Sequence, residues 1–241
     1  MRILITNDDG IDSPSILRLA EWAKKLGEVT VAAPKTEQSG KSQAIDFRNA
    51  VEIKRVDLTD GVEAYSVDST PADCVRFGVT GLHREYDIVF SGVNRGYNLG
   101  EDISYSGTVG AILEAGRLGI RAIAFSCDVD CAERAFSEID DVYAFITENG
   151  LLAHAELLNV NFPRDASKGF AITKQGTTFY TDEFVDCGNG TFLQVGEPVL
   201  YESDDISTDI IAIQNGYVSI TPITAIKTDL AAYDKLKEIR K

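Results

Sequence analysis

The chain has 241 residues, 44% of them apolar, enough for one sizeable α/β domain or for a main domain with an appendage. Its 23 basic residues stand against 38 acidic ones, and the formal charge of −15 repels nucleic acid and anionic membranes, which excludes polymer binding through a basic patch. Screening beyond about 8 Å still lets a local site capture a small anion, provided that the site brings positive charge of its own.

In chain order, residues 2–6 (RILIT) read as a strand, NDDG as a turn, and Ile16, Leu19, Ala20, Ala23 and Leu26 as the buried stripe of a helix. A strand at 29–34 follows, then a hairpin between about 48 and 67 from the alternation in VEIKRV and VEAYSV. Residues 71–82 predict a helix, 87–91 a strand, 108–119 a helix and 121–126 a strand. Ala135, Ile139, Val142, Tyr143 and Ile146 mark a helix that ends at Asn149-Gly150. From about 167 the pattern changes to short strands and polar turns, with 216–223 a clear strand and 229–239 a closing helix.

Near-continuous apolar strands alternating with amphipathic helices predict a mostly parallel sheet covered on both faces, a Rossmann-like three-layer α/β/α core. The expected organisation is a single domain over 1–241, with a core to about 166 and a C-terminal arm or subdomain over 167–241. Cys74, Cys127, Cys131 and Cys187 are scattered, and the CxxxC of Cys127 and Cys131 has no second pair or nearby His to complete a zinc site. No stretch reaches the roughly 18 apolar residues of a membrane span. A soluble cytoplasmic protein with reduced thiols is therefore expected.

Three loops follow three of the predicted strands, and a parallel sheet brings them to one edge. The first, Asn7-Asp8-Asp9-Gly10, places two adjacent carboxylates in a Gly-relaxed turn, where both can face one cation such as Mg²⁺ or Mn²⁺. Alone, this motif is weak and reads rather as a helix cap. The second, residues 36–42, reads by itself as a polar turn. The third runs from Ser91 through Asn94 and Asn98 to Ser106-Gly107-Thr108 and straight into a helix, offering N–H groups and hydroxyls to an anion. A helix N-terminus contributes only about 0.3–2 kcal/mol to an anion, whereas phosphate monoester hydrolysis needs accelerations of up to about 10²¹. A phosphate cradle alone binds without reacting, and a divalent cation is the missing Lewis acid.

Taken together, ITNDDGI at 5–11, AP…QSG at 33–40, STPADCV at 69–75, SGVNRGYNLGEDISYSGTVGAILEAG at 91–116, LNVNFP at 158–163 and GYVSITP at 216–222 resemble the SurE family of survival-protein nucleotidases. The resemblance implies a divalent-metal-dependent phosphatase, a 5′-nucleotidase acting on nucleoside 5′- and 3′-monophosphates and in some members on short polyphosphate. It implies one Mg²⁺ or Mn²⁺ per subunit, held by Asp8, Asp9, Ser39 and Asn94, with Asn94, Asn98, Ser106, Gly107 and Thr108 around the substrate phosphate. Asp8 and Asp9 are the catalytic candidates; a water or a carboxylate could be the nucleophile. The resemblance also implies a homodimer or homotetramer that exchanges C-terminal segments. Ser15 and Ala115 stand where the family usually or often has Gly, and residues 174–192 match it poorly.

The rival readings are weaker. No GxGxxG follows the first strand, against a dinucleotide-dependent oxidoreductase. Adjacent carboxylates rather than Asp-x-Asp argue against an aspartyl-phosphate enzyme, and His83 and His154, the two histidines, carry no motif. A non-catalytic nucleotide-binding regulator would use the same residues and stays open at this level.

Overall fold

The computed structural model describes residues 1–239. Among them nine strands form one sheet, built around β1 (Arg2–Thr6), β2 (Glu28–Pro34), β5 (Ile88–Arg95), β6 (Ala122–Cys127) and β7 (Leu157–Phe162), with β3 (Ile53–Val56) and β4 (Glu63–Val67) at one edge. At the other edge lie β8 (Phe170–Ile172) and β11 (Val218–Ile223), and β9 (Glu183–Gly188) and β10 (Thr191–Val195) make a separate two-stranded hairpin. The spatial order is β3-β4-β2-β1-β5-β6-β7-β11-β8. Pairing is parallel except where β3 meets β4 and β11 meets β7. The expected hairpin between 48 and 67 is the antiparallel β3–β4 pair, and β4 also extends the parallel sheet beside β2.

Chain order fixes the ligand edge. From β1 the chain runs outward to β2 and β4, then returns to β5 and runs the other way through β6 to β7, so the switch point lies between β1 and β5. Side-chain alternation builds a core on each face. Ile3, Ile5, Phe90, Phe125 and Phe162 point towards α1 (Pro14–Ala23) and α4 (Ala132–Glu148). Leu4, Val89, Ala122 and Ala124 point towards α2 (Pro71–Arg76) and α3 (Gly107–Arg117). The first face carries the aromatic mass: Phe90 packs against Trp22, Phe125 and Tyr143 at ring-centroid separations of 5.5, 5.8 and 5.8 Å. On the second face the β6 residues Ala122 and Ala124 share a cluster with Ala111 and Ala115 of α3, beside the larger Leu4, Val89 and Ile112.

Three helices begin as their sequences predict. Ser13 and Thr70 accept the N–H of Ser15 and Asp73, each just before a Pro at the first helical position. Ser106 accepts that of Val109. Helix α4 stops at Asn149 and Gly150, the latter left-handed at φ 62°, as read from sequence. A single turn, α5 (Leu151–His154), then leads into β7.

Some expectations change. The helix read over 71–82 is α-helical only to Arg76, after which Phe77–Gly81 continue as a wider π turn closed by Leu82 N–H on the Phe77 carbonyl. The strand read as 87–91 runs on to Arg95. Asn94 and Arg95 resume pairing with Ser126 and Cys127 after an irregularity at Gly92-Val93. Gly92 sits at φ 131°, and a Cβ there would lie 2.3 Å from the Phe125 carbonyl oxygen, so this glycine marks a bulge inside a strand rather than the start of a loop.

After residue 167 the chain does two things. Strands β8 and β11 join the main sheet, and α6 (Asp209–Gln214), absent from the expected elements, packs Ile210 and Ile213 on Leu99 and Phe179. The β9–β10 hairpin and α7 (Leu230–Leu236) are exposed or nearly so along their length.

Phe90→Ala removes a fully buried ring at the centre of the aromatic layer. A loss of about 3–5 kcal/mol in unfolding free energy is expected from urea denaturation, with the native far-ultraviolet dichroism retained in the absence of urea.

Candidate active site

Strand β1 ends in Thr6, and Asn7 folds the turn by donating its amide to the Gly10 carbonyl (3.0 Å) and accepting the Gly10 N–H (3.2 Å). Gly10 takes φ 99° because the backbone of Pro34 to Glu37 passes against it. This tight closure presents Asp8 and Asp9 at the switch point.

Asp8 is 4% exposed. Its carboxylate accepts the Thr108 hydroxyl at 2.5 Å and faces the Thr108 backbone N–H, so the N-terminus of α3 sits directly on it. Burial pushes the Asp8 carboxyl upward, and the Thr108 bonds partly offset that. The close approach depends on Gly107, where a Cβ would lie 2.9 Å from the Asp8 Cβ and 3.0 Å from its Oδ2.

Asp9 is half-buried, and its Oδ2 is enclosed with no hydrogen-bond partner within the protein. Burial first, then the Asp8 charge, pushes its carboxyl up to about 6 against the pull of Arg95, whose guanidinium and backbone N–H both face it. Arg95 thus supplies the local positive charge that the acidic chain needs here; sequence reading quoted it within a motif but gave it no role. Glu37 raises both Asp8 and Asp9, which places a third acidic group nearby.

The remaining predicted residues gather round this pair to different degrees. Asn94 lies one residue before the end of β5, donating its amide to the Gly96 carbonyl at 2.9 Å. Ser39 lies exposed in the loop after β2, its hydroxyl on Glu37 at 2.6 Å, one residue beyond a Gln38 N–H bonded to the Asp8 carbonyl at 2.7 Å. Ser106 spends its hydroxyl on capping α3. Asn98 is buried and held on every side: its amide donates to Ser126 (2.7 Å), its N–H to Asn161 (2.9 Å), and its carbonyl accepts from Asn159 and Asn161 (both 2.9 Å).

Asn159 and Asn161 were quoted from LNVNFP without a role; their two-residue spacing on β7, which puts both on one face, was the available signal. Asp209 was missed altogether. Fully buried, it accepts the N–H groups of Gly100 (2.9 Å), Gly176 (2.7 Å) and Ile210 (2.8 Å), anchoring the far end of the Asn98 loop.

The donor chemistry fits a hard divalent cation: two carboxylates, one with an unpartnered buried oxygen, flanked by hydroxyl and amide groups. Among the described residues, no group of three or more His, Cys, Asp or Glu is placed to hold a metal.

Fold and site together define a class: a three-layer α/β protein whose ligand edge sets an acidic pair against a helix N-terminus. A family model described as "Survival protein SurE" matches residues 3–182. The chain belongs to the SurE family. It is 40% identical to "5'-nucleotidase SurE 1" of Thermus thermophilus, over 99% of this chain and 96% of the relative. It is 38% identical to "5'-nucleotidase SurE" of Thermoanaerobacter sp. strain X514, over 98% and 96%. The crystal structure of the SurE protein of Aquifex aeolicus superimposes with a TM-score of 0.80 at 33% identity, covering 98% of each chain.

Because Asp9 has a folded-state pKa above its unfolded value, this carboxyl binds more protons in the native state than in the unfolded chain between about pH 4 and 6. The contribution of Asp9 to the stability of the chelator-treated protein is therefore expected to fall through that window as pH rises, and Asp9→Asn to remove that contribution from the slope. Thermal unfolding in EDTA from pH 4 to 8 checks this; identical slopes for the two proteins would refute it.

Proposed function

We propose that this protein is a 5′-nucleotidase: a divalent-metal-dependent phosphomonoesterase that hydrolyses nucleoside 5′- and 3′-monophosphates to nucleoside and phosphate. Its relatives' names point to the nucleotide, and the observation that carries the chemistry is the unpartnered Asp9 oxygen beside Asp8 at the α3 N-terminus. Short polyphosphate, with the same terminal phosphoryl group, is a further candidate substrate.

In this reading Asp8, Asp9, Ser39 and Asn94 hold one Mg²⁺ or Mn²⁺ per subunit. When bound, the cation supplies a Lewis acid, a water of lowered pKa and a clamp on the phosphoryl oxygens. Ser106, Gly107 and Thr108 present the α3 N-terminus to the phosphate, where charge develops in the transition state. Asn94 and Asn98 line the same end, Asn98 also fixing the loop through Ser126, Asn159 and Asn161. Asp9 orients the attacking water and accepts its proton; the water oxygen bonds to phosphorus as the ester P–O bond breaks in line, and the proton taken from the water passes to the departing alkoxide. Arg95 tempers the acidic surroundings that would otherwise repel the substrate.

Protein stripped with EDTA is expected to release no phosphate from a panel of nucleoside 5′- and 3′-monophosphates, and added Mg²⁺ or Mn²⁺ to restore turnover. Asp8→Asn should lower kcat by roughly 10²-fold or more while keeping the wild-type fold. Turnover that ignores EDTA, or wild-type kcat in the mutant, would sink the proposal; nucleotide binding without phosphate release would make the protein a regulator.

The region beyond residue 167 supports a further part of the reading, a homodimer or homotetramer joined through C-terminal segments. Phe184, Phe192 and Leu193 are 58–66% exposed on a hairpin with unpaired edges, and Leu230, Tyr233 and Leu236 form an exposed stripe on α7. A second copy covering these faces makes the arm an oligomerisation element. No helix among the described residues is long and apolar enough to cross a membrane, and all four cysteines are free, which fits a cytoplasmic enzyme. Light scattering is expected to give at least twice the 26.2 kDa chain mass, and the double variant Phe184→Asp, Phe192→Asp a smaller assembly. A monomeric wild type would dismiss the arm's role.

A further inference from the structure

The loop between β2 and β3 carries Ser39, yet most of it is exposed and without regular structure. From 39 to 50 just two residues are half-buried, Ser42 and Gln43. Gln43 is bonded to α3, the helix that also abuts Asp8, and Ser42 to the turn that leads into it. Ser42 donates its N–H to the Tyr105 carbonyl (3.0 Å) and its hydroxyl to the Ser104 carbonyl (2.8 Å), and holds a left-handed φ of 54°. Gln43 donates its side-chain amide to Glu114 Oε2 at 3.0 Å.

Glu114 is 2% exposed, on the inner face of α3. Its other oxygen accepts Arg76 at 3.0 Å and Arg117 at 2.9 and 2.6 Å. Burial alone would raise its carboxyl, but Arg117, Gln43 and Arg76 outweigh that and hold it below the ordinary value. The acceptor offered to Gln43 is thus a fixed, ionised oxygen rather than a mobile surface carboxylate.

Between these two contacts the loop backbone lies directly on Gly110. A Cβ there would sit 2.2 Å from the Ser42 carbonyl oxygen and 2.8 Å from the Gln43 nitrogen, both backbone atoms that cannot swing aside. Glycine inside a helix weakens it relative to alanine, so this position trades helix stability for contact with the loop.

We infer that Gly110 and the Gln43–Glu114 pair form a latch that seats the loop on α3 and so sets Ser39 beside Asp8 and Asp9. The Gln38 N–H on the Asp8 carbonyl anchors the chain one residue before Ser39, and the latch anchors it four residues after, at Gln43. One helix then positions both halves of the site: its N-terminus meets Asp8, and its flank holds the loop that brings the hydroxyl. Gln43, Gly110 and Glu114 are positioning residues, acting through Ser39. The inference rests on Ser39 serving as a cation ligand.

The experiment is Mn²⁺ binding to EDTA-stripped protein by titration calorimetry, for wild type, Gln43→Ala, Gly110→Ala, Ser39→Ala and the two latch variants combined with Ser39→Ala. Hydrogen exchange of residues 39–44 and thermal unfolding run alongside. Each latch variant should weaken Mn²⁺ binding by about two- to tenfold and speed exchange in the loop, with the unfolding midpoint nearly unchanged in Gln43→Ala. In the Ser39→Ala background the latch variants should add little, because they act through that hydroxyl. Wild-type affinity in Gln43→Ala, or latch effects that add in full to Ser39→Ala, would overturn the latch while leaving the metal reading intact. Should Ser39→Ala itself bind Mn²⁺ like wild type while Asp8→Asn does not, Ser39 is no ligand and the latch's purpose falls with it. Gln43→Ala carries the test if Gly110→Ala fails to fold.

Discussion

Asp8 is a carboxylate almost wholly removed from water in a chain already carrying a net charge of −15. Left alone, such a group would cost several kcal/mol or stay protonated. What makes it tolerable is the N-terminus of α3, which brings a helix dipole, the Thr108 hydroxyl and the Thr108 N–H onto it. Much else follows from that contact. The helix must come in close, so its first residue is Gly107 and its sheet-facing side is Ala111 and Ala115, packed on Ala122 and Ala124. Bulk displaced from this face appears on the other, where Trp22, Phe90, Phe125 and Tyr143 make the aromatic layer.

The second consequence is that loops rather than strands carry most of the chemistry, and each loop is tied to a rigid element by buried polar contacts. Asn98 is held by Ser126, Asn159 and Asn161 from β6 and β7, and Gly100 by Asp209 at the start of α6. These bonds cross 28 to 109 residues of sequence. They give a long Gly-rich segment the definition that its composition alone would not, and they explain why α6, far along the chain, packs beside the ligand edge.

How legible this was in the sequence depended on the range of the interaction. Helix starts are local chemistry: the one at Pro71 and the opening at Ser106-Gly107-Thr108 were readable directly, as was the Gly150 stop. Apolar strands alternating with amphipathic helices predicted the layers, and NDDG and the Ser106 segment, expected at one edge of the sheet, do meet there through Thr108 and Asp8. Gly92 misled because a glycine inside a strand and one opening a loop look alike until the neighbouring strand is known; here Phe125 decides it. The roles of Asp209, Asn159 and Asn161 were hidden for the same reason, their partners being set by tertiary register. The short strands beyond 167 were invisible in their pairing, since β8 runs parallel to β11 across nearly fifty intervening residues with α6 and a hairpin between.

The unpaired polar atoms carry the last step. Of the eight buried side-chain atoms without a partner among the described residues, four, Thr6 Oγ1, Asp9 Oδ2, Ser91 Oγ and Asn159 Oδ1, lie around the C-terminal end of β1. Thr6 pairs in register with Ser91, Ser91 with Ala124, and Ala124 with Asn159, so three of the four lie in one row across the sheet, on the face of Ala124, which packs against α3. Each such group costs about 1–3 kcal/mol when nothing meets it, and apolar residues of the same shape would be more stable there. Beneath the helix that bears on Asp8, they make this one place where the fold gives up stability. Whatever binds the native state there returns part of it through mass action. Folding stability and occupancy of the site are thus two readings of the same local free energy, linked through the carboxylates that the α3 N-terminus keeps buried.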